Sequence, residues 1–331
     1  MTTVNLIARD NDAGLSVDLD IVAHALAAAG FEVTLTALAH RSRLVGKLLY
    51  DWSRVRRRWQ RLASNAPRHR HDINVMLERV QPELLADARH NVLVPNPEWF
   101  RHDWRRWLPQ FDRVLVKTRH AEEIFNGLGC TTRYIGFDSR DHWLPQVPRR
   151  LHFLHLPGRS NNKGTQALLK LWAGHPQWPT LTVLWRSREA DVPQALENVE
   201  WLRERLDEDA LKRLQNAHAF HLCPSQTEGY GHYLVEALGV GAVTVTLDAP
   251  PMNELVTAER GVLCAAQPIG TQALATLYGC DIEAMRVAIE RCIAMEANER
   301  DAIGANARRW FEDNGRAFPT RLSESLRKFV S

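Results

Sequence analysis

Short apolar runs alternate with segments of helical period along this chain, and the alternation starts afresh near its middle. Val4–Ala8 reads as a strand, Asp18–Ala29 as a helix that stops at Gly30, and Phe31–Ala37 as the next strand. Ile73–Leu77, Asn91–Pro95 and Arg113–Lys117 are further β-like runs, with helical stretches such as Ala121–Leu128 between them. The segment Trp143–Pro148, WLPQVP, breaks the rhythm. Beyond it come strand Leu151–Leu156, helix Thr165–Trp172, strand Leu181–Trp185, helix Asp207–Asn216, strand Ala219–Cys223, helix His232–Leu238 and strand Val243–Leu247. Strands joined through helices return parallel, so the pattern predicts two parallel sheets covered by helices on both faces. From about Asp281 to Val330 the chain reads as helices, with breaks near Gly304 and at Gly315–Pro319. The expected class is α/β, divided into residues 1–147, 148–307 and a helical tail, 308–331. Two such domains facing each other place a ligand in the cleft, at the C-terminal ends of the strands.

At 331 residues the chain is long for a single core, which agrees with two domains. Its 45% hydrophobic and 24% charged residues are the balance of a globular protein and exclude a disordered or fibrous one. No apolar run approaches the ~18 residues that span a bilayer. The start, MTTVNLIARDND, has neither the basic residues nor the apolar stretch of a signal peptide. Cys130, Cys223, Cys264, Cys280 and Cys292 are scattered without a C-x-x-C pair, as expected of reduced thiols in the cytoplasm. His152, His155, His218 and His221 have no metal-ligand spacing and read as packing residues.

The formal net charge of +3 is divided unevenly. Residues 1–150 hold 23 Lys and Arg against 17 Asp and Glu, and the remainder holds 19 against 22. The excess lies mainly in His40–His71, where ten Lys and Arg accompany a single acid, Asp51. Val45, Leu48, Trp52, Val55, Trp59 and Leu62 recur there at three- and four-residue steps, while Arg54, Arg57, Arg58 and Arg61 fall largely elsewhere. Such a helix suits a polyanion, either an anionic bilayer or nucleic acid; a surface helix with a solvated basic face is the plain alternative. A second basic and aromatic cluster, Trp99 to Trp107, either extends that surface or contributes to the core.

The chemistry concentrates in the second half. Ser225–Glu236, SQTEGYGHYLVE, follows a strand and opens a helix. Gly229 and Gly231 let backbone approach a ligand closely, and the helix start offers unpaired N–H groups suited to phosphate. Glu228 lies before the glycine turn and Glu236 inside the helix, so both carboxylates can border one pocket and accept from sugar hydroxyls. These features predict a phosphosugar or nucleotide-sugar pocket. Upstream, Pro157–Gly164 is another strand-to-helix connection, in which Arg159 and Lys163 are cations able to hold a diphosphate and stabilise it as a leaving group.

Together, Gly158, Arg159, Lys163 and Gly164 with the Glu-x7-Glu element (Glu228 to Glu236, with Gly229, Gly231 and Ala237) resemble the retaining glycosyltransferases of family 4. Pro224-Ser225, the Asp248–Leu255 segment, and Gly136-Phe137-Asp138 through Trp143-Leu144-Pro145 support the likeness. It is specific over residues 151–260 and architectural over 1–130. The resemblance implies the GT-B fold, two Rossmann-like domains facing across a cleft, with the C-terminal helix crossing back to the first. It also implies that Arg159 and Lys163 bind the donor diphosphate, that Glu228 sits beside the donor sugar, and that Glu236 takes the ribose hydroxyls. Backbone around Gly231 and His232 would face the phosphates. Neither metal nor cofactor is expected, the nucleotide diphosphate sugar being the donor substrate. Two departures stand out. The first loop, Arg9–Ser16, has one glycine, Gly14, through which it could reach the donor phosphate. The region Val94–Phe100 lacks the histidine many relatives have near the acceptor, leaving Glu98 or His102 as candidates for that side.

The leading expectation is therefore a retaining, metal-independent hexosyltransferase whose basic first domain holds a hydroxyl acceptor, a saccharide or lipid-linked saccharide of cell-envelope type. A cytoplasmic protein, peripheral on the inner membrane surface, suits the basic helix, and no obligate protein partner is implied. One alternative is a DNA glycosyltransferase acting on a hydroxymethylated base, as in phages. The other is a non-catalytic nucleic-acid-binding protein on the same fold.

Overall fold

The computed structural model describes residues 1–8, 14–37, 69–158, 160–185 and 196–329. The chain divides into two compact units, Met1–Phe137 with Arg316–Ser331, and Asp138–Gly315. The first division falls ahead of WLPQVP because the residues after Phe137 are already tied to second-unit side chains. Ser139 Oγ lies 2.7 Å from His232 Nδ1, Arg308 grips both oxygens of Asp141 at 2.6 and 2.7 Å, and Asn216 Nδ2 donates to His142 O.

In the first unit, β1 (Thr3–Ala8), α1 (Gly14–Ala28), β2 (Glu32–Ala37), β3 (His71–Leu77), β4 (Ala88–Val94), β5 (Arg113–Val116), α2 (Arg119–Gly127) and β6 (Thr132–Tyr134) build a six-stranded sheet. Its order is β2-β1-β3-β4-β5-β6, and every pairing is parallel. Ile73–Leu77 and Asn91–Val94 are buried at every position, as strands covered on both faces must be. A polar ladder crosses this apolar sheet. Asn5 Nδ2 donates to Asn74 Oδ1 at 3.0 Å and Asn74 Nδ2 to Asn91 Oδ1 at 2.9 Å, between residues directly opposed in register. A slip of one residue would break both rungs, so the ladder fixes the pairing. Beyond β5, Lys117 pairs with Asp18 of α1, their side chains only 4% and 6% exposed. Its Nζ also lies 4.4 Å from the centre of the Phe137 ring.

The second unit contains β7 (Arg150–Gly158), α3 (Thr165–Gly174), β8 (Leu181–Trp185), β9 (Val199–Leu202), α4 (Glu208–Ala217), β10 (His218–Cys223), α5 (His232–Gly239), β11 (Val243–Leu247), α6 (Met252–Leu255) and β12 (Gly261–Cys264). They form a parallel sheet in the order β12-β11-β10-β7-β8-β9. The central strands β10 and β11 are buried throughout. Phe153 stacks on Phe220 at 4.9 Å and meets the edge of Trp172 at 5.3 Å, joining β7, β10 and α3 in one core. Asp207 caps α4 by accepting from the Ala210 N–H at 2.8 Å.

Three elements complete the chain. β13 (Ala266–Gln272) and β14 (Ala275–Cys280) form an antiparallel hairpin that the sequence pattern does not anticipate. α7 (Ile282–Ala294) is capped by Asp281, and α8 (Ala297–Arg327) runs 31 residues without interruption. The expected breaks near Gly304 and at Gly315–Pro319 are thus corrected, because the glycines serve close approach rather than termination. A Cβ on Gly304 would stand 2.5 Å from Gly241 O, and one on Gly315 would stand 3.1 Å from Asp138 Oδ1. Around Pro319, burial of Phe318, Leu322 and Leu326 holds the helix, and Phe318 packs 4.9 Å from Phe137 in the first unit. No helix among the described residues is long and apolar enough to cross a membrane.

Candidate active site

Two strand-to-helix connections of the second unit, at the C-terminal ends of adjacent strands, bring several charged and polar side chains together. β7 ends at Gly158, in the left-handed region at φ +63°, and Gly164 at φ +71° leads into α3. A side chain at 164 would place its Cβ 2.6 Å from Pro224 O, so the α3 connection lies directly against the one after β10. That second connection turns at Gly231, φ +91°, into α5. A Cβ there would meet Leu234 at 2.8 Å and the Glu228 side chain at 3.3 Å. Glycine is therefore required at 164 and 231 for space as well as for backbone angle.

Across this junction Lys163 Nζ pairs with Glu228 Oε1, with side chains 16% and 12% exposed. Ser225 Oγ donates to the same oxygen at 2.5 Å. Because the serine proton is used there, the Tyr233 hydroxyl supplies the proton of its bond to Ser225 Oγ. Burial raises the Tyr233 hydroxyl well above its ordinary range, which keeps it a neutral donor. The Lys163 ammonium also lies 4.0 Å from the centre of the Tyr233 ring, on its electron-rich face. The result is one chain of contacts, tyrosine to serine to carboxylate to ammonium.

Glu236, inside α5, has its own support. Gln215 Nε2 donates to Glu236 Oε2 at 3.0 Å, and His142 Nδ1 stands 2.5 Å from Gln215 Oε1. An amide oxygen only accepts, so Nδ1 of His142 carries the proton. His232, first residue of α5, meets Ser139 Oγ through Nδ1 and the edge of Tyr230 at 5.5 Å. Gly229 is buried in the turn between the two glutamates. Gly158, Lys163, Glu228, Gly229 and Gly231 thus lie on the two connections, and His232 and Glu236 follow in α5. Arg159 lies outside the described residues.

The histidines on β7 and β10 are structural. His155 Nδ1 donates to Leu222 O and its Nε2 accepts from Thr165 Oγ1, both at 2.8 Å, while His221 Nε2 bonds Gln215 O at 2.9 Å. Burial pushes their pKa values down to about 4 and about 3, so both are neutral. Trp185 and Trp201, at the ends of β8 and β9, meet edge to face at 5.8 Å.

In the first unit, Gly14 opens α1, and the loop residues 9–13 before it lie outside the described residues. Glu98 is buried in a 3-10 segment, Pro97–Trp99, after β4, whereas His102 is exposed at the start of the next, His102–Gln110. Arg54, Arg57, Arg58 and Arg61 also lie outside the described residues. Ser139, His142, Asn162, Gln215 and Tyr233 were not singled out from the sequence. Tyr233 sits between the two glutamates, Asn162 beside Lys163, and Ser139 and His142 within the Gly136–Pro145 segment, whereas Gln215 has no such signal in its position.

Residues 187–310 match the family model of the glycosyl transferases group 1. That match takes in Glu228 and Glu236, while Lys163 lies ahead of it. Solved structures match over the whole chain. Sucrose-phosphate synthase from Thermosynechococcus elongatus is 14% identical with a TM-score of 0.72, covering 100% of this chain and 99% of that one. The Anabaena protein HepE, solved in complex with UDP and glucose, is 15% identical with a TM-score of 0.69, covering 99% and 100%. The fold is of the GT-B type. Another GT-B neighbour, the pneumococcal O-GlcNAc transferase GtfA with UDP and GlcNAc, is 14% identical with a TM-score of 0.62 and covers 79% of this chain and 57% of its own. A search of the curated proteins found no match. Within the GT-B frame, residues 187–310 of the second unit are thus similar to the glycosyl transferases group 1.

Proposed function

We propose that this protein is a retaining, metal-independent hexosyltransferase that moves a sugar from a nucleotide diphosphate donor to a hydroxyl acceptor. The observation that carries the reading is the pairing of Lys163 with Glu228 beside the glycine turn that opens α5. A departing nucleoside diphosphate develops negative charge, and a fixed ammonium next to helix N–H groups stabilises it in a site that needs no reorganisation. Lys163 and Arg159 take the diphosphate in this reading, with Gly158, Gly229, Gly231 and His232 lining the donor. Glu228 lies against the sugar: both of its described bonds fall on Oε1, so Oε2 remains for a hydroxyl. Glu236, with Oε2 held by Gln215, offers its other oxygen to the ribose. The acceptor hydroxyl attacks from the face that the nucleotide leaves, so the protein contributes positioning and charge stabilisation.

HepE complexes with UDP and UDP-glucose support a nucleotide-sugar donor and make UDP-glucose the first to try. The acceptor is a saccharide or lipid-linked saccharide at a membrane face, held by the first unit with Glu98 or His102 beside it. The arginine-rich stretch from His40 to His71 makes the membrane contact.

The test is hydrolysis of UDP-, GDP-, ADP- and dTDP-glucose by the purified protein in EDTA, with product anomers read by proton NMR. Release of one nucleotide with the α-configuration kept is the expected result, lost in Glu228→Gln and Lys163→Met. Silence towards all four donors, with no thermal stabilisation by any nucleotide, refutes the donor site and favours a binding protein on this fold.

A further inference from the structure

The β13–β14 hairpin adds little to either core. Ala275 is its one fully buried position, and Pro268, Ile269 and Gly270 are exposed. A two-stranded hairpin is marginal by itself in water, so its order comes from what it touches. It touches the two connections that carry Lys163 and Glu228. Asn162 Nδ2 donates to Gln272 Oε1 at 2.7 Å, and the Tyr278 N–H donates to Gln226 O at 2.8 Å. The two connections are joined to each other by the same residues, since the Gln226 N–H donates to Asn162 O at 2.8 Å. Three segments, hairpin, first connection and second connection, therefore close a ring of hydrogen bonds. Asn162 is the neighbour of Lys163, and Gln226 is two residues before Glu228.

We propose that this hairpin is a positioning element of the donor site, holding the Lys163 and Glu228 connections in register through Gln272 and Tyr278. The inference rests on the donor-site reading above. An ion pair alone tolerates sliding of either connection, because a charge has no preferred direction at this range. The ring of directional bonds does not. Misplacement of a charge by about 1 Å against a leaving group costs on the order of 100-fold in rate. A ring formed on folding carries the ordering cost before the donor arrives. Gln272 and Tyr278 act through Asn162 and Gln226 and need not touch the donor.

The experiment compares wild type, Gln272→Leu, Asn162→Ala and Gln272→Glu in hydrolysis of UDP-, GDP-, ADP- and dTDP-glucose, and in amide hydrogen exchange of residues 160–164 and 225–231. Melting temperature serves as the folding control. Gln272→Leu and Asn162→Ala are expected to speed exchange in both segments and to lower kcat about tenfold, with KM within about threefold. Gln272→Glu keeps an acceptor oxygen and is expected to restore kcat to within about twofold. Unchanged exchange in Gln272→Leu overturns the proposal whatever the activity, as does faster exchange with kcat intact. If wild type hydrolyses none of the four donors, the site reading falls and takes the catalytic role of the hairpin with it. Turnover in wild type with normal exchange in the variants separates failure of the hairpin from failure of the site.

Discussion

The ammonium of Lys163 and the carboxylate of Glu228, 65 residues apart in the chain, form one pair across two strand-to-helix connections. The two are joined directly in an ion pair, and the site reading makes them act as a unit. Lys163→Met and Glu228→Gln are each expected to lower turnover of the nucleotide sugar by about 100-fold or more. The double variant is expected to be no worse than the poorer single one, because groups that act together are non-additive. Steady-state rates for the four proteins check this, and a multiplicative double loss would mean independent roles.

Gly164 stands under two constraints, a φ of +71° and Pro224 O at 2.6 Å from any added Cβ. Gly164→Ala is expected to lose roughly 2 kcal/mol or more, since left-handed backbone costs 1–2 kcal/mol and the clash is with backbone. Gly174 has neither constraint, with nothing within 4 Å of an added Cβ. Gly174→Ala is expected to leave the urea midpoint within about 0.5 kcal/mol of wild type. Equal losses in both variants would contradict the close packing of the two connections.

The first unit carries its own buried pair, Lys117 with Asp18. Lys117→Met removes the cation but leaves the carboxylate desolvated, and a loss of about 3–5 kcal/mol is expected. Asp18→Leu combined with Lys117→Met removes both charges and is expected to recover most of that loss. Denaturant unfolding followed by a first-unit probe gives both numbers.

Much of this architecture is readable from residue order. Val243–Leu247 and Leu181–Trp185 occupy the strand bounds that their β-branched and apolar runs imply, the buried threonines Thr182, Thr244 and Thr246 fitting a strand as well as valine does. The approach of Lys163 to Glu228 follows from strand-end and helix-start placement in a parallel sheet. The hairpin is not readable in this way. AQPIGTQ and ATLYGC lack strict alternation, and Pro268, Gly270 and Gly279 punctuate them like a loop. Gly304 and Gly315 look like helix breakers because what requires them, the Gly241 backbone and the Asp138 side chain, lies far away in sequence. The contact of His142 with Gln215 joins residues 73 apart, and no local pattern encodes it. The asparagine ladder is hidden likewise, each strand contributing one asparagine flanked by apolar residues or a histidine.

Acid is expected to destabilise the second unit through His155 and His221. Burial lowers both, to about 4 and about 3, whereas in the unfolded chain a histidine titrates near 6.5. Their contribution is complete above about pH 6.5 and falls as pH drops towards the folded values, because only the unfolded state takes up the protons. Each costs about 1.4 kcal/mol per pH unit in that window. Urea midpoints from pH 7 to pH 4 are expected to fall less steeply in His221→Leu than in wild type. Parallel profiles would mean that His221 is protonated in the folded protein.

The basic stretch yields a separate prediction. Replacing Arg54, Arg57, Arg58 and Arg61 together by glutamate is expected to abolish flotation with vesicles rich in anionic lipid. Hydrolysis of the donor without acceptor should be unaffected. Retention of flotation together with loss of duplex DNA binding would move the acceptor to nucleic acid.

The second unit is one continuous stretch of chain, but the first is closed by residues that leave the ribosome after the whole of the second. Phe318, Leu322 and Leu326 are fully buried, and the Arg321 guanidinium donates to Ile135 O at 2.6 Å. The usual order, in which the N-terminal domain finishes folding during synthesis, is therefore reversed here. The sheet of β1 to β6 emerges early yet waits until the second unit has been made before its core is sealed. A premature stop at the last turns of α8 would leave the contiguous unit whole and the older half of the nascent chain open.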